Sequence, residues 1–258
     1  MLNKLPEQYF EVLKAPIVSG RQSPTSLGGN LILAIPLQWL IYYLTYSIAS
    51  SYTKYPSTDT IQEIHFAASI CFSILSLLFC IPAIYKRFEK LQYLLTILVS
   101  QMLFTFPALL WALFTIGEGE QATAESLVLF TIIVLTTATL LLGITIFRFL
   151  RLLKKGEYHE GSSRGQTRER FETKSYLPVA IVGGLSCVFT IQYFIRNFQM
   201  EYFESAILII LPILIFYTMI FVLPEQLVIL YCKFRFDRFN VYQSRIKSSK
   251  KIGMERKG

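Results

Sequence analysis

A single ionisable residue inside an apolar run is the feature of this chain that points most directly to chemistry. Glu225 lies in Leu223-Pro224-Glu225-Gln226, near the end of a run rich in leucine and isoleucine. Carboxylates within membrane helices are rare, and they mark ion pathways and proton relays. Pro224 lacks a backbone N–H and frees a carbonyl oxygen one turn earlier, so polar groups are expected to gather there. The candidate functional or transport residues are therefore Glu225, Pro224 and Gln226.

Glu225 also has a purely structural interpretation. It lies about six residues, or roughly 9 Å of helix, from the end of its run rather than at the centre. A carboxylate at this depth can pair with a basic residue at the end of another helix, or be reached by water. The sequence leaves open whether Glu225 binds a cation, accepts a proton or is a helix-end carboxylate.

Patterns that indicate enzymes are few. His65 and His159 are the two histidines of the chain, and they are too far apart to hold a metal from one helix face. The sequence contains no Gly-rich phosphate loop, no G-x-S-x-G and no paired intramembrane carboxylates. We expect no catalytic residues, no metal and no cofactor.

Small residues recur at four-residue spacing in one apolar run. This spacing lets a neighbouring helix approach closely, and it predicts helix packing rather than ligand binding. We expect the partner to be the run that contains Thr139 and Gly143. The candidate packing residues are Ala180, Gly183, Gly184 and Cys187.

The elements that carry these residues are six apolar runs. Hydrophobic residues make up 53% of the 258, in stretches of about 20, the length needed to cross about 30 Å of hydrocarbon as helix. The sequence predicts an all-α, polytopic integral membrane protein. Its predicted spans are 27–50, 65–85, 91–116, 126–150, 176–194 and 206–231.

The distribution of positive charge predicts the orientation. If six spans are taken, 23 of the 25 lysines and arginines fall on one side, in alternate connecting segments. Cytoplasmic loops collect these residues, so both termini are expected in the cytoplasm. The same rule accounts for the net charge of +8 without nucleic acid as a partner. The cell membrane is the predicted location, with the endoplasmic reticulum membrane as the alternative.

The predicted membrane domain, 27–231, is preceded by a cytoplasmic segment, 1–26. Apolar Leu5, Tyr9 and Leu13 recur there at helical spacing, and Pro16 is expected to end the helix. Two placements are open: a helix lying flat on the inner leaflet, or a helix packed against the protein's own cytoplasmic loops.

Two basic cytoplasmic segments offer surfaces for partners. They are the loop 151–175 and the tail 232–258. At the start of the tail, Lys233, Arg235 and Arg238 alternate with phenylalanines, which suits contact with anionic headgroups of the inner leaflet. The alternative is ordinary inside-positive charge without a particular partner.

Two functions are therefore carried forward. The first is a non-catalytic component or accessory of a membrane assembly, bound through the loop 151–175 and the tail. The second is a permease or transporter subunit with a pathway near Glu225.

Overall fold

A computed structural model of the protein describes residues 5–159, 161–162, 165–166 and 201–242. The described chain is helical, without strands. Five of its helices are long and apolar enough to cross a membrane, and we number them α1 to α5 along the chain. Their bounds are Pro24–Ala49 for α1, Thr58–Cys80 for α2, Glu89–Gly117 for α3, Ala124–Lys154 for α4 and Ser205–Arg235 for α5.

Local sequence explains where several of these helices begin and end. The Ser23 hydroxyl accepts the Ser26 N–H at 3.3 Å at the start of α1, and Pro24 occupies the first turn. Thr123 and Ser126 cap each other's backbone at the start of α4. Two π-helical turns, Thr45–Ala49 and Gln101–Thr105, lie within α1 and α3.

Four of the helices match predicted spans closely, and the second does not. The predicted span 65–85 is wrong at both ends, because α2 runs from Thr58 to Cys80. Its first two turns are polar enough to resemble a loop. The helix ends where Ile81 becomes extended before Pro82, as proline requires of the preceding residue. A separate short helix, Pro82–Arg87, follows. The fifth predicted span, 176–194, lies outside the described residues.

The outer faces of the helices are apolar. Ile74 on α2 is 54% exposed, Leu140 on α4 is 63% exposed and Leu214 on α5 is 57% exposed. Continuous apolar faces of this extent are unusual in water-soluble monomers. They are compatible with a membrane around the helices.

Segments rich in lysine and arginine meet at one end of the bundle, which we call the basic end. It consists of the N-terminal segment, the Pro82–Arg87 helix, the end of α4 and residues 236–242. One buried apolar cluster joins three of these parts through Phe10, Leu13, Leu153, Cys232 and Phe239. At the opposite end, the Lys54 ammonium donates to the Gly119 and Glu120 carbonyls, each at 3.0 Å.

Helices α4 and α5 run in the same direction. The Tyr217 hydroxyl donates to the Val134 carbonyl at 3.3 Å. Further along both helices, Cys232 packs in the same cluster as Leu153. Both helices therefore end at the basic end.

The N-terminal segment packs against the protein itself. It forms a 3-10 helix, Glu7–Lys14, followed directly by an α-helical turn, Ala15–Val18. Phe10 and Leu13 are fully buried, and the Val12 N–H donates to the Tyr158 carbonyl at 3.1 Å. This packing agrees with the second predicted placement, and the position of the helix relative to the inner leaflet stays a prediction. The 3-10 helix ends at Lys14, two residues before Pro16, and Pro16 lies in the first turn of the next helix, where its missing N–H is tolerated.

Candidate functional site at the basic end

Glu225 lies on a cavity between α4 and α5. The cavity has a volume of about 200 Å³. Pro224 is buried and Glu225 is half-buried, and both line the cavity. The lining side chains are Thr145, Arg148, Phe149, Leu152, Tyr158, Phe221, Val222, Pro224 and Glu225.

The cavity brings together two opposite charges from different helices. Arg148 belongs to α4 and Glu225 to α5, and both line the same space. Because Pro224 has no N–H, the Ile220 carbonyl loses its usual helical donor. A cation, an anion and polar groups in a small, partly apolar space can bind a polar or zwitterionic solute.

Gln226 does not belong to this arrangement. It is half-buried, it does not line the cavity, and its side-chain oxygen is buried without a hydrogen-bond donor in the described part of the chain. The structure therefore brings Glu225 and Pro224 together with Arg148. Arg148 carries no distinguishing signal in the sequence, because a cation near the end of an apolar run resembles ordinary inside-positive charge.

A second polar site at the basic end holds the chain that follows α5. The Glu89 side chain is 1% exposed. Its carboxylate accepts the backbone N–H groups of Val241 at 2.8 Å and of Tyr242 at 2.6 Å. Hydrogen bonds to an ionised acceptor are short and strong, so this contact fixes the two chain segments against each other.

Lys233 completes this site from within α5. Its side chain is fully buried, its ammonium donates to the Phe239 carbonyl at 3.0 Å and lies 5.4 Å from the centre of the Tyr93 ring. The buried Asn240 amide donates to the Lys233 carbonyl at 2.8 Å. We call these contacts of Glu89, Lys233 and Asn240 the tail clamp.

The tail clamp corrects one prediction. Lys233 does not contact lipid headgroups, because its ammonium is buried and bonded to the protein's own backbone. Arg235 and Arg238 are exposed, and lipid contact stays a prediction for both. Glu89 was not predicted as a functional residue, since a glutamate between Arg87 and Lys90 in a short connection resembles surface charge.

Gln92 connects the clamp region to two further helices. It is fully buried, and its amide donates to the Pro24 carbonyl at 2.9 Å and to the Phe79 carbonyl at 3.1 Å. The Phe79 carbonyl lies in the last turn of α2, where carbonyl groups need partners outside the helix, and the Pro24 carbonyl lies in the first turn of α1. One side chain of α3 therefore positions both neighbouring helices.

The predicted packing patch cannot be placed in the fold. Ala180, Gly183, Gly184 and Cys187 lie outside the described residues. Of the predicted partner residues on α4, Gly143 has space for an added methyl group. The packing of these residues stays a prediction.

The histidines do not form a joint site. His65 lies inside α2 and not at its start, is 1% exposed, and its Nδ1 is 3.0 Å from the Tyr46 hydroxyl. The rings of Tyr42 and Phe106 meet it edge to face. His159 contacts the Tyr9 ring at the basic end. These contacts make His65 part of the packing between α1, α2 and α3.

No protein-family model, no curated protein and no solved structure matches this chain.

Proposed function

We propose that the protein is a six-span cell-membrane protein that acts as a non-catalytic component or accessory of a membrane assembly. The tail clamp is the observation that carries this proposal. It places the chain up to Tyr242 at a defined position on the basic end, and the basic residues of 243–258 follow directly in the sequence. A tail whose first residues are held in place can present its charges to a partner at a lower cost, because less conformational entropy is lost on binding.

The direction of the helices supports the count of six. Since α4 and α5 both end at the basic end, a chain that crosses the bilayer in each must return between them. The predicted span 176–194 lies in that interval. An even number of spans also agrees with an N-terminal segment and a tail at the same end of the bundle.

The charge distribution supports the orientation. The predicted six spans put 23 of the 25 lysines and arginines on one side, and the described cations Lys86, Arg87, Lys154 and Arg238 belong to the segments of the basic end. By the positive-inside rule this end faces the cytoplasm, with both termini. The partner then approaches from the cytoplasm, through the loop 151–175 and the tail.

Removal of the tail tests the proposed function. The intact protein, extracted in mild detergent, is expected to retain a partner that is lost from a variant without residues 243–258. A variant with the opposite-end residue Lys54 changed to Gln is the control and keeps the partner. Recovery of the wild-type protein as a bare monomer under these conditions contradicts the proposal.

The cavity at Glu225 favours a second function, a permease or transporter subunit. The cavity has a carboxylate, a guanidinium and a proline of the continuous α5 helix around one space between two apolar helices. Reconstituted Glu225→Gln and Pro224→Ala variants are expected to lose flux of the transported solute, whereas Glu125→Gln at the opposite end keeps it. Wild-type flux in both cavity variants removes the basis of this function.

A further inference from the structure

The short connection between α2 and α3, formed by the Pro82–Arg87 helix and Phe88, carries exposed basic and aromatic side chains. Lys86, Arg87 and Phe88 are exposed. The Lys90 ammonium lies 5.7 Å from the centre of the Phe234 ring, so this turn adjoins the end of α5. We call Lys86, Arg87, Phe88, Lys90 and Phe234 the turn patch.

The cations of the turn patch lie on aromatic rings. Lys86 lies 5.4 Å from the Tyr242 ring centre, and Arg87 lies 5.5 Å from that of Phe88. Among the described residues, no carboxylate forms an ion pair with Lys86, Arg87 or Lys90. The nearest acid in sequence, Glu89, is buried and binds the backbone N–H groups of Val241 and Tyr242. The turn patch therefore has an excess of positive charge.

The turn patch is continuous with the apolar outer faces of two membrane helices. Phe88 and Leu91 are each 44% exposed, and Phe234 is 53% exposed. Leu227, two turns before Phe234 on α5, is also exposed. The cations therefore lie beside exposed rings where the apolar face of the helices ends. The headgroup layer of a bilayer favours this arrangement, because aromatic rings prefer the interface and anionic lipids attract lysine and arginine.

We infer that the turn patch binds the phosphate of an anionic phospholipid, with Lys86, Arg87 and Lys90 around the phosphate and Phe88 and Phe234 against the upper acyl chains. This inference rests on the proposed orientation, since the cytoplasmic leaflet supplies the anionic lipid. It differs from the proposed partner site, which uses the tail beyond Tyr242 and the loop 151–175.

Lipid selectivity tests the inference. The full chain is reconstituted into nanodiscs of phosphatidylcholine with and without phosphatidylglycerol, and the lipids retained after mild extraction are measured by native mass spectrometry. The wild-type protein is expected to retain phosphatidylglycerol preferentially. The triple variant Lys86→Gln/Arg87→Gln/Lys90→Gln is expected to reduce this preference by at least about fivefold, the effect of about 1 kcal/mol per cation near anionic lipid.

A charge-matched control distinguishes a site from diffuse attraction. The variant Arg151→Gln/Lys154→Gln/Lys155→Gln removes the same charge from the same end of the bundle and is expected to keep the preference. Equal losses in both triple variants, or no loss in the first, overturn the inference. The single variant Arg87→Gln, at an exposed position, gives the same test if the triple variant does not fold.

Two further outcomes separate this site from other occupants. Soluble glycerol phosphate is not expected to displace the lipid, because it lacks the acyl chains that Phe88 and Phe234 contact. Displacement identifies a free phosphate site and contradicts the inference. If the turn-patch variant keeps its lipid but loses a co-purifying protein, the surface is a protein-docking site and the inference is wrong. The tail variant tests the proposed function separately.

Discussion

The Glu89 carboxylate accepts the backbone N–H of Tyr242 at 2.6 Å, across a sequence separation of 153 residues. The contact joins the first turn of α3 to the chain that leaves α5. Both backbone donors of this contact, on Val241 and Tyr242, are bound by one buried side chain. Because buried N–H groups are costly to leave without an acceptor, this carboxylate holds the start of the tail in place.

Glu89→Gln is expected to destabilise the basic end. The substitution removes the charge from an acceptor of two N–H groups, and hydrogen bonds to charged groups contribute about 1.5–3 kcal/mol each. Limited proteolysis in detergent measures the effect as faster cleavage after Tyr242. Glu118→Gln, at an exposed position of the opposite end, is expected to leave the cleavage rate unchanged.

Glu89 and Lys233 are expected to show energetic coupling. Both buried side chains bind the backbone of one short segment, Lys233 at the Phe239 carbonyl and Glu89 at the Val241 and Tyr242 N–H groups, and removal of one charge leaves the other uncompensated. Glu89→Gln and Lys233→Met should each lower the midpoint of thermal unfolding. The double variant should lose less than the sum of the two losses, by about 0.5–3 kcal/mol of coupling. Strict additivity of the two effects contradicts a shared electrostatic site.

Tyr46→Phe is expected to destabilise the packing of α1 on α2. The substitution removes the hydroxyl that lies 3.0 Å from His65 Nδ1, and it leaves a buried ring nitrogen without that partner. The expected cost is about 1–3 kcal/mol, measured as a lower unfolding midpoint in detergent. Tyr52→Phe is the matched control, since Tyr52 is 81% exposed; an equal effect of both substitutions contradicts the role given to the hydroxyl.

Two glycines are expected to respond in opposite ways to alanine. A methyl group at Gly117 would collide with Thr53 Oγ1, and it would also lie 3.4 Å from the Lys54 backbone nitrogen. Overpacking of this kind costs about 1–3 kcal/mol. At Gly29, within α1, an added methyl group meets nothing within 4 Å, so the better helix propensity of alanine should stabilise by up to about 1 kcal/mol. Thermal unfolding of both variants measures the difference.

Single-cysteine labelling is expected to place the two ends of the bundle on different sides of the membrane. In a variant without the native cysteines, Gly119→Cys should react with an impermeant maleimide on intact cells. Glu157→Cys should react only after permeabilisation, because the basic end is proposed to face the cytoplasm. The reverse pattern contradicts the proposed orientation.

The tertiary structure changes the interpretation of charges more than that of apolar residues. Four predicted spans agree with the observed helices to within four residues at each end, because a membrane crossing needs only a sufficient number of consecutive apolar residues. The error at α2 arose from Asp59, Gln62 and Glu63, polar residues that lie within the helix. Hydropathy locates the apolar part of a span, and α2 continues beyond that part as a polar helix end.

The lengths of the apolar runs and the positions of the charges are enough to predict several membrane-length helices and a strongly one-sided distribution of lysine and arginine. Hydropathy and charge are both sums over neighbouring residues in the sequence, so neither depends on which helices pack against each other. Contacts between helices are needed to see that Lys233 is buried while Arg235 is exposed, that Glu89 binds the start of the tail, and that Arg148 shares a cavity with Glu225. The environment of a charged side chain is set by residues far along the chain, and hydropathy carries no information about those contacts.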